Sequence, residues 1–69
     1  MTIEEVKTAL LAEYTGYLKM RNNSNNADAR HYAQVSATAI RRVAVEIAGA
    51  TITEINEAQE AAKCDVIVP

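Results

Sequence analysis

Five groups that could hold an anion lie in the middle of the chain: Arg21, Arg30, His31, Arg41 and Arg42. A guanidinium presents a planar fork of donors that matches two oxygens of one phosphate, so arginines suit phosphate recognition better than a bare positive charge would. Between Tyr14 and Val45 there are five Lys or Arg residues and a single acid, Asp28. Tyr17 and Tyr32 fall close in the pattern to Arg21, Arg30 and His31, and a tyrosine ring can stack on a base while its hydroxyl hydrogen-bonds. Arginine with tyrosine is a frequent way to hold nucleotides. These seven residues form the expected ligand-binding set, and the expected ligand is a small phosphate-bearing molecule such as a signalling nucleotide.

A plainer reading competes with this one. Cations on the outer side of a helix are commonly a solvated face, and Glu54, Glu57 and Glu60 form an acidic ridge that could pair with them. Tyr17 and Tyr32 also fall on the apolar stripes of their helices, which suits packing. The chain has a basic middle and an acidic end, with four acids against Lys63 from Gly49 onward and a net charge of only −2. That balance weakens the case for nucleic-acid binding, which rests on stronger basic asymmetry.

Catalytic chemistry has little to work with. Asp28 and His31 are three residues apart, close enough on a helix for the carboxylate to orient the imidazole, but an acid in a first helical turn is explained by the helix dipole alone. Cys64 and His31 are each the single residue of their type, which leaves no internal disulfide and no metal-ligand spacing. The chain therefore reads as non-enzymatic, with no cofactor.

The elements that must position these groups are helices. Thr2-Ile3-Glu4-Glu5 is a capping-box sequence with Met1 and Val6 as its expected hydrophobic staple, and Ala50-Thr51-Ile52-Thr53-Glu54-Ile55 repeats both features. Ile3, Val6, Leu10, Leu11, Tyr14, Tyr17 and Leu18 recur at helical spacing and predict a first helix over 3–20. The polar run from Asn22 to Asn26 ends it and caps a second helix over 27–48, which Gly49 stops. The apolar stripe of that helix reads as Ala29, Tyr32, Ala33, Ser36, Ala39, Ile40, Val43 and Ile47. A shorter third helix over 52–63 presents Ile52, Ile55, Ala58 and Ala62, and 64–69 reads as an extended tail. The fold class is all-α: an antiparallel helical hairpin plus a third helix, one domain over 1–69.

Thirteen alanines sit among the apolar residues and there is no Phe or Trp, so the interior is thin. A domain this small usually needs a disulfide, a metal or association, and only association remains open. A homo-oligomeric bundle is expected, with Val35, Val45 and the small-residue patch Ala9, Ala12 and Gly16 as further contacts. No apolar run has the length of a membrane span or a signal sequence, so a cytoplasmic protein is expected. Two functions follow: an oligomer holding a phosphate-bearing ligand between subunits, or a module that inhibits or bridges a larger protein partner.

Overall fold

Thr2 opens the first helix because its hydroxyl accepts from the Glu5 backbone N–H at 3.2 Å while the Glu5 carboxylate accepts from the Thr2 N–H at 2.9 Å. Thr51 and Glu54 repeat the exchange at the start of the third, again at 3.2 and 2.9 Å. Asn26 starts the second by accepting from Asp28 and Ala29 backbone N–H groups at 2.8 and 3.1 Å. Each cap satisfies donors that the helix geometry leaves open. The resulting elements are α1 (Ile3–Asn23), α2 (Ala27–Glu46) and α3 (Ile52–Cys64) in a computed structural model that describes residues 1–64. Strands are absent among the described residues, and no helix there is long and apolar enough to cross a membrane.

Three details depart from the sequence reading. α1 runs three residues further, because the Asn23 side-chain amide donates to the Lys19 carbonyl and the Ser24 N–H to the Met20 carbonyl. α2 ends two residues earlier: Ile47 is already its cap, and Gly49, at φ +76°, turns the chain so that the Ala50 N–H donates to the Ala44 carbonyl at 2.9 Å. Met1 is 99% exposed, so it forms no staple with Val6. The extended-tail expectation for 64–69 lies outside the described residues, except that Cys64 closes α3.

α1 is the shared element, with α2 and α3 both packed on it. Tyr14 and Leu18 are buried, and Leu10, Leu11 and Tyr17 pack partly against the same cluster. Large side chains on α1 leave room for small ones opposite, which lets the other helices approach closely. α2 accordingly buries Ala33, Ala37 and Ala44, and α3 buries Ile55, Ala58 and Ala62. Seven of the ten buried apolar residues among those described are alanines. This corrects part of the stripe read from the sequence of α2: Ala33 is buried and Ile40 packs against the core as expected, but Tyr32, Ala39, Val43 and Ile47 are exposed. The inward side is turned by somewhat less than one residue's step toward Ala37 and Ala44. Ile52, expected inside, is exposed as well.

An ion pair ties α3 to α1. The Lys7 ammonium lies 3.1 Å from Glu54 and 3.3 Å from Glu4, with the Lys7 side chain largely covered. The Thr51 backbone N–H and then Lys7 hold the Glu54 carboxyl below its ordinary value of 4.5, and the backbone and hydroxyl of Thr2 do the same for Glu5. A carboxyl whose value is lowered by folding stabilises the fold above its unfolded value, and that contribution disappears as pH falls toward the folded value. The thermal midpoint is therefore expected to decline once the pH drops below about 4.5. In the Glu54→Gln chain, which keeps a capping amide but loses the charge, the decline should be shallower. Melting curves followed by circular dichroism across pH check this, and identical acid slopes in both chains would contradict it.

The two glycines make opposite predictions. At Gly49 the positive φ disfavours any side chain, so Gly49→Ala should lower stability by roughly 1–2 kcal/mol. Gly16 lies within α1, and an added Cβ there meets nothing within 4 Å. Gly16→Ala should therefore raise stability by up to about 1 kcal/mol. Ala9, Ala12 and Gly16 are all exposed, so no contact within one chain requires their small size. Urea titrations of the two variants read both signs, and a destabilised Gly16→Ala chain would show that another molecule packs there.

A candidate anion-binding cleft

Because α2 and α3 share α1 as their support, a cleft of about 550 Å³ opens among the three helices. Its apolar wall is Tyr14, Leu18 and Ala37, all buried. Each helix adds one cation to the lining: Arg21 from α1, Arg41 from α2 and Lys63 from α3. Asn22, Gln34, Thr38 and Gln59 supply the neutral polar groups, and no carboxylate lines the cleft among the described residues.

The polar groups hold one another in place. Arg21 Nη1 donates to Gln34 Oε1 at 2.6 Å, while Arg21 Nε and Nη2 both donate to Asn22 Oδ1 at 3.3 Å. The Gln34 amide in turn donates to the Thr38 hydroxyl at 3.2 Å. This chain of contacts fixes the guanidinium before any ligand arrives and still leaves donors on it, since the group carries five N–H bonds. On the opposite wall Gln59 Nε2 donates to the Tyr14 hydroxyl at 3.0 Å, so the phenol keeps its own proton available. Arg41 makes no hydrogen bond or ion pair with any described residue. Lys63 lies 3.4 Å from Glu60, an exposed contact of the kind that contributes little.

The seven residues singled out from the sequence divide between this cleft and other surfaces. Arg21 and Arg41 line it. Arg42 instead borders a shallower hollow of about 230 Å³ with Thr38, Arg41, Val45 and Glu46, and its Nε lies 2.9 Å from Glu46. Arg30 and His31 are exposed and make no polar contact with described residues. Tyr17 and Tyr32 meet edge to face with ring centroids 6.0 Å apart, outside the cleft lining. Glu54 pairs with Lys7 and Glu60 with Lys63, so among the described residues the acidic ridge neutralises no cation of α2.

Lys63, Gln59, Asn22 and Tyr14 were not singled out as site residues from sequence. Nothing in their spacing marks them, because Gln59 and Lys63 reach the cleft only through the packing of α3 on α1. Gln34 and Thr38, also outside the expected set, line the cleft from α2 within two turns of Arg41. Among the described residues no group of His, Cys, Asp and Glu could hold a metal ion. The chain matches no protein-family model, no curated protein and no solved structure.

Proposed function

We propose that the chain is a non-enzymatic binder of a small phosphate-bearing ligand, held in the cleft by Arg21, Arg41 and Lys63. One observation carries this reading: three helices each contribute a cation to a single cleft with no acid among its described lining residues. With no carboxylate among the described lining residues, Arg21 and Arg41 act together, Lys63 adds to them despite its exposed contact with Glu60, and low-dielectric walls such as Leu18 and Ala37 concentrate their field. Phosphate oxygens would take the two guanidinium groups, and the amides of Gln34 and Gln59 would face the rest of the ligand. Nucleotides and sugar phosphates share this chemistry.

The site so proposed is formed within one chain and uses neither the Tyr17 and Tyr32 pair nor Arg30, His31 and Arg42. Binding is preferred to catalysis because Asp28 and His31, the pair closest to an acid–base couple in the sequence, make no hydrogen bond to each other. Sequestration of a signalling nucleotide by a small helical oligomer in the cytoplasm is one use such a site would serve. A protein-interaction module is the second reading, and the observation that favours it is the exposed small-residue patch Ala9, Ala12 and Gly16 on α1.

Calorimetry of the intact chain against orthophosphate, pyrophosphate, mono-, di- and cyclic nucleotides and sugar phosphates tests the proposal. At least one phosphate compound should bind, with an affinity that falls as salt rises. Absence of heat for the whole panel, together with an unshifted melting midpoint, would refute it.

A further inference from the structure

α2 has two apolar sides, and α1 covers one of them. The inner side is the alanine row Ala33, Ala37 and Ala44. On the other, Tyr32, Val35, Ala39, Val43 and, just past the helix end, Ile47 follow one another at steps of three and four residues, which places them along one strip. Tyr32 is 57% exposed, Val35 54%, Val43 43% and Ile47 70%. Such a strip amounts to on the order of 400 Å² of apolar surface, the size of the largest patch on a typical small protein and one that is often functional.

We infer that a second copy of this chain covers the strip, the two α2 helices crossing antiparallel about a two-fold axis at Ala39. The thin interior argues for a copy of itself over another protein. Ile55 is the one large side chain among the described residues that is fully buried, and the lone cysteine rules out an internal disulfide. Chains this small with so little core are stabilised by association, and the one associate present wherever the chain is made is another copy.

The strip is also complementary to itself, which a two-fold contact requires. Ala39, its smallest member, lies at the midpoint and allows close approach. An axis there sets Val35 of each copy against Val43 of the other. It also sets Tyr32 of each copy opposite Glu46 of the other, where the hydroxyl can donate to the carboxylate, with His31 beside it. Arg42 and Glu46 add polar contacts to the roughly 400 Å² that each strip contributes, about 800 Å² in total over the two copies, which is at the small end for a specific interface.

The test uses the full chain without ligand, so it does not depend on the cleft. Sedimentation should give the mass of a dimer at micromolar concentration, and the melting midpoint should rise as the chain is concentrated. Ala39→Cys in a Cys64→Ser background should oxidise to a covalent dimer, because a crossing at residue 39 brings the two Cα atoms within disulfide reach. Thr53→Cys, exposed on α3, should not do so in the same background. Val43→Asp should return the mass to that of one chain; if that variant fails to fold, the cross-link and the concentration dependence of the unmodified chain decide. A monomer with a concentration-independent midpoint overturns the inference. So does a dimer that neither cross-links through Ala39→Cys nor responds to Val43→Asp, since its contact would lie elsewhere.

Discussion

Ile55→Ala is expected to leave the chain largely unfolded at room temperature. Ile55 is 1% exposed, and it joins Tyr14, Leu18 and the buried alanines in one cluster. Truncating a buried isoleucine to alanine removes about 2–5 kcal/mol, partly through lost transfer energy and partly through the cavity left behind. A core in a chain of this size rarely supplies more than ~3–5 kcal/mol, so one substitution is comparable to the whole. Little can move in to fill the space, because the neighbours Ala44, Ala58 and Ala62 have no side-chain length to extend. Urea titration followed by helical circular dichroism, at matched chain concentration, measures the effect. A loss below about 1 kcal/mol would mean that the fold is held chiefly somewhere other than this cluster.

The second large effect concerns Arg41. Replacing it with alanine should weaken the binding of a phosphate compound by roughly 10- to 100-fold, the equivalent of one charge-assisted contact at about 1.5–3 kcal/mol. Stability should stay within about 0.5 kcal/mol, because Arg41 holds no partner among the described residues that its loss would strand. Arg42→Ala is the matched control. Its guanidinium is paired with Glu46 and lies outside the larger cleft, so affinity should be nearly unchanged. Calorimetry on both variants separates a site from a diffuse positive field: equal losses in the two would remove the special role of the cleft. Arg41→Lys should recover part of the affinity, since it restores the charge without the fork.

What could be read from the sequence was whatever a helix decides within a few residues of itself. Thr2 with Glu5 and Thr51 with Glu54 declare two helix starts because both partners of each hydrogen bond lie within one turn. Asn26 and Gly49 mark the ends of α2 for equally local reasons, a side chain able to cap and a backbone able to take positive φ. The inward side of α2 was not legible in this way. Ranking residues by size points to Tyr32, Val43 and Ile47, whereas the bulk of Tyr14 and Leu18 on the facing helix selects Ala33, Ala37 and Ala44. The candidate site divides along the same line. Arg21 and Arg41 stand out by charge alone, while Lys63 and Gln59 become members only when α3 docks on α1.

A core built mostly of alanine has a thermal consequence. Alanine surrenders no rotamer freedom on folding and hides little hydrocarbon, so both the entropic opposition and the hydration gain are small for each residue buried. The heat-capacity increment of unfolding scales with the apolar area exposed, and here that area is modest. The stability curve of this chain should accordingly be flat, with melting spread across a wide span of temperature in place of a sharp collapse.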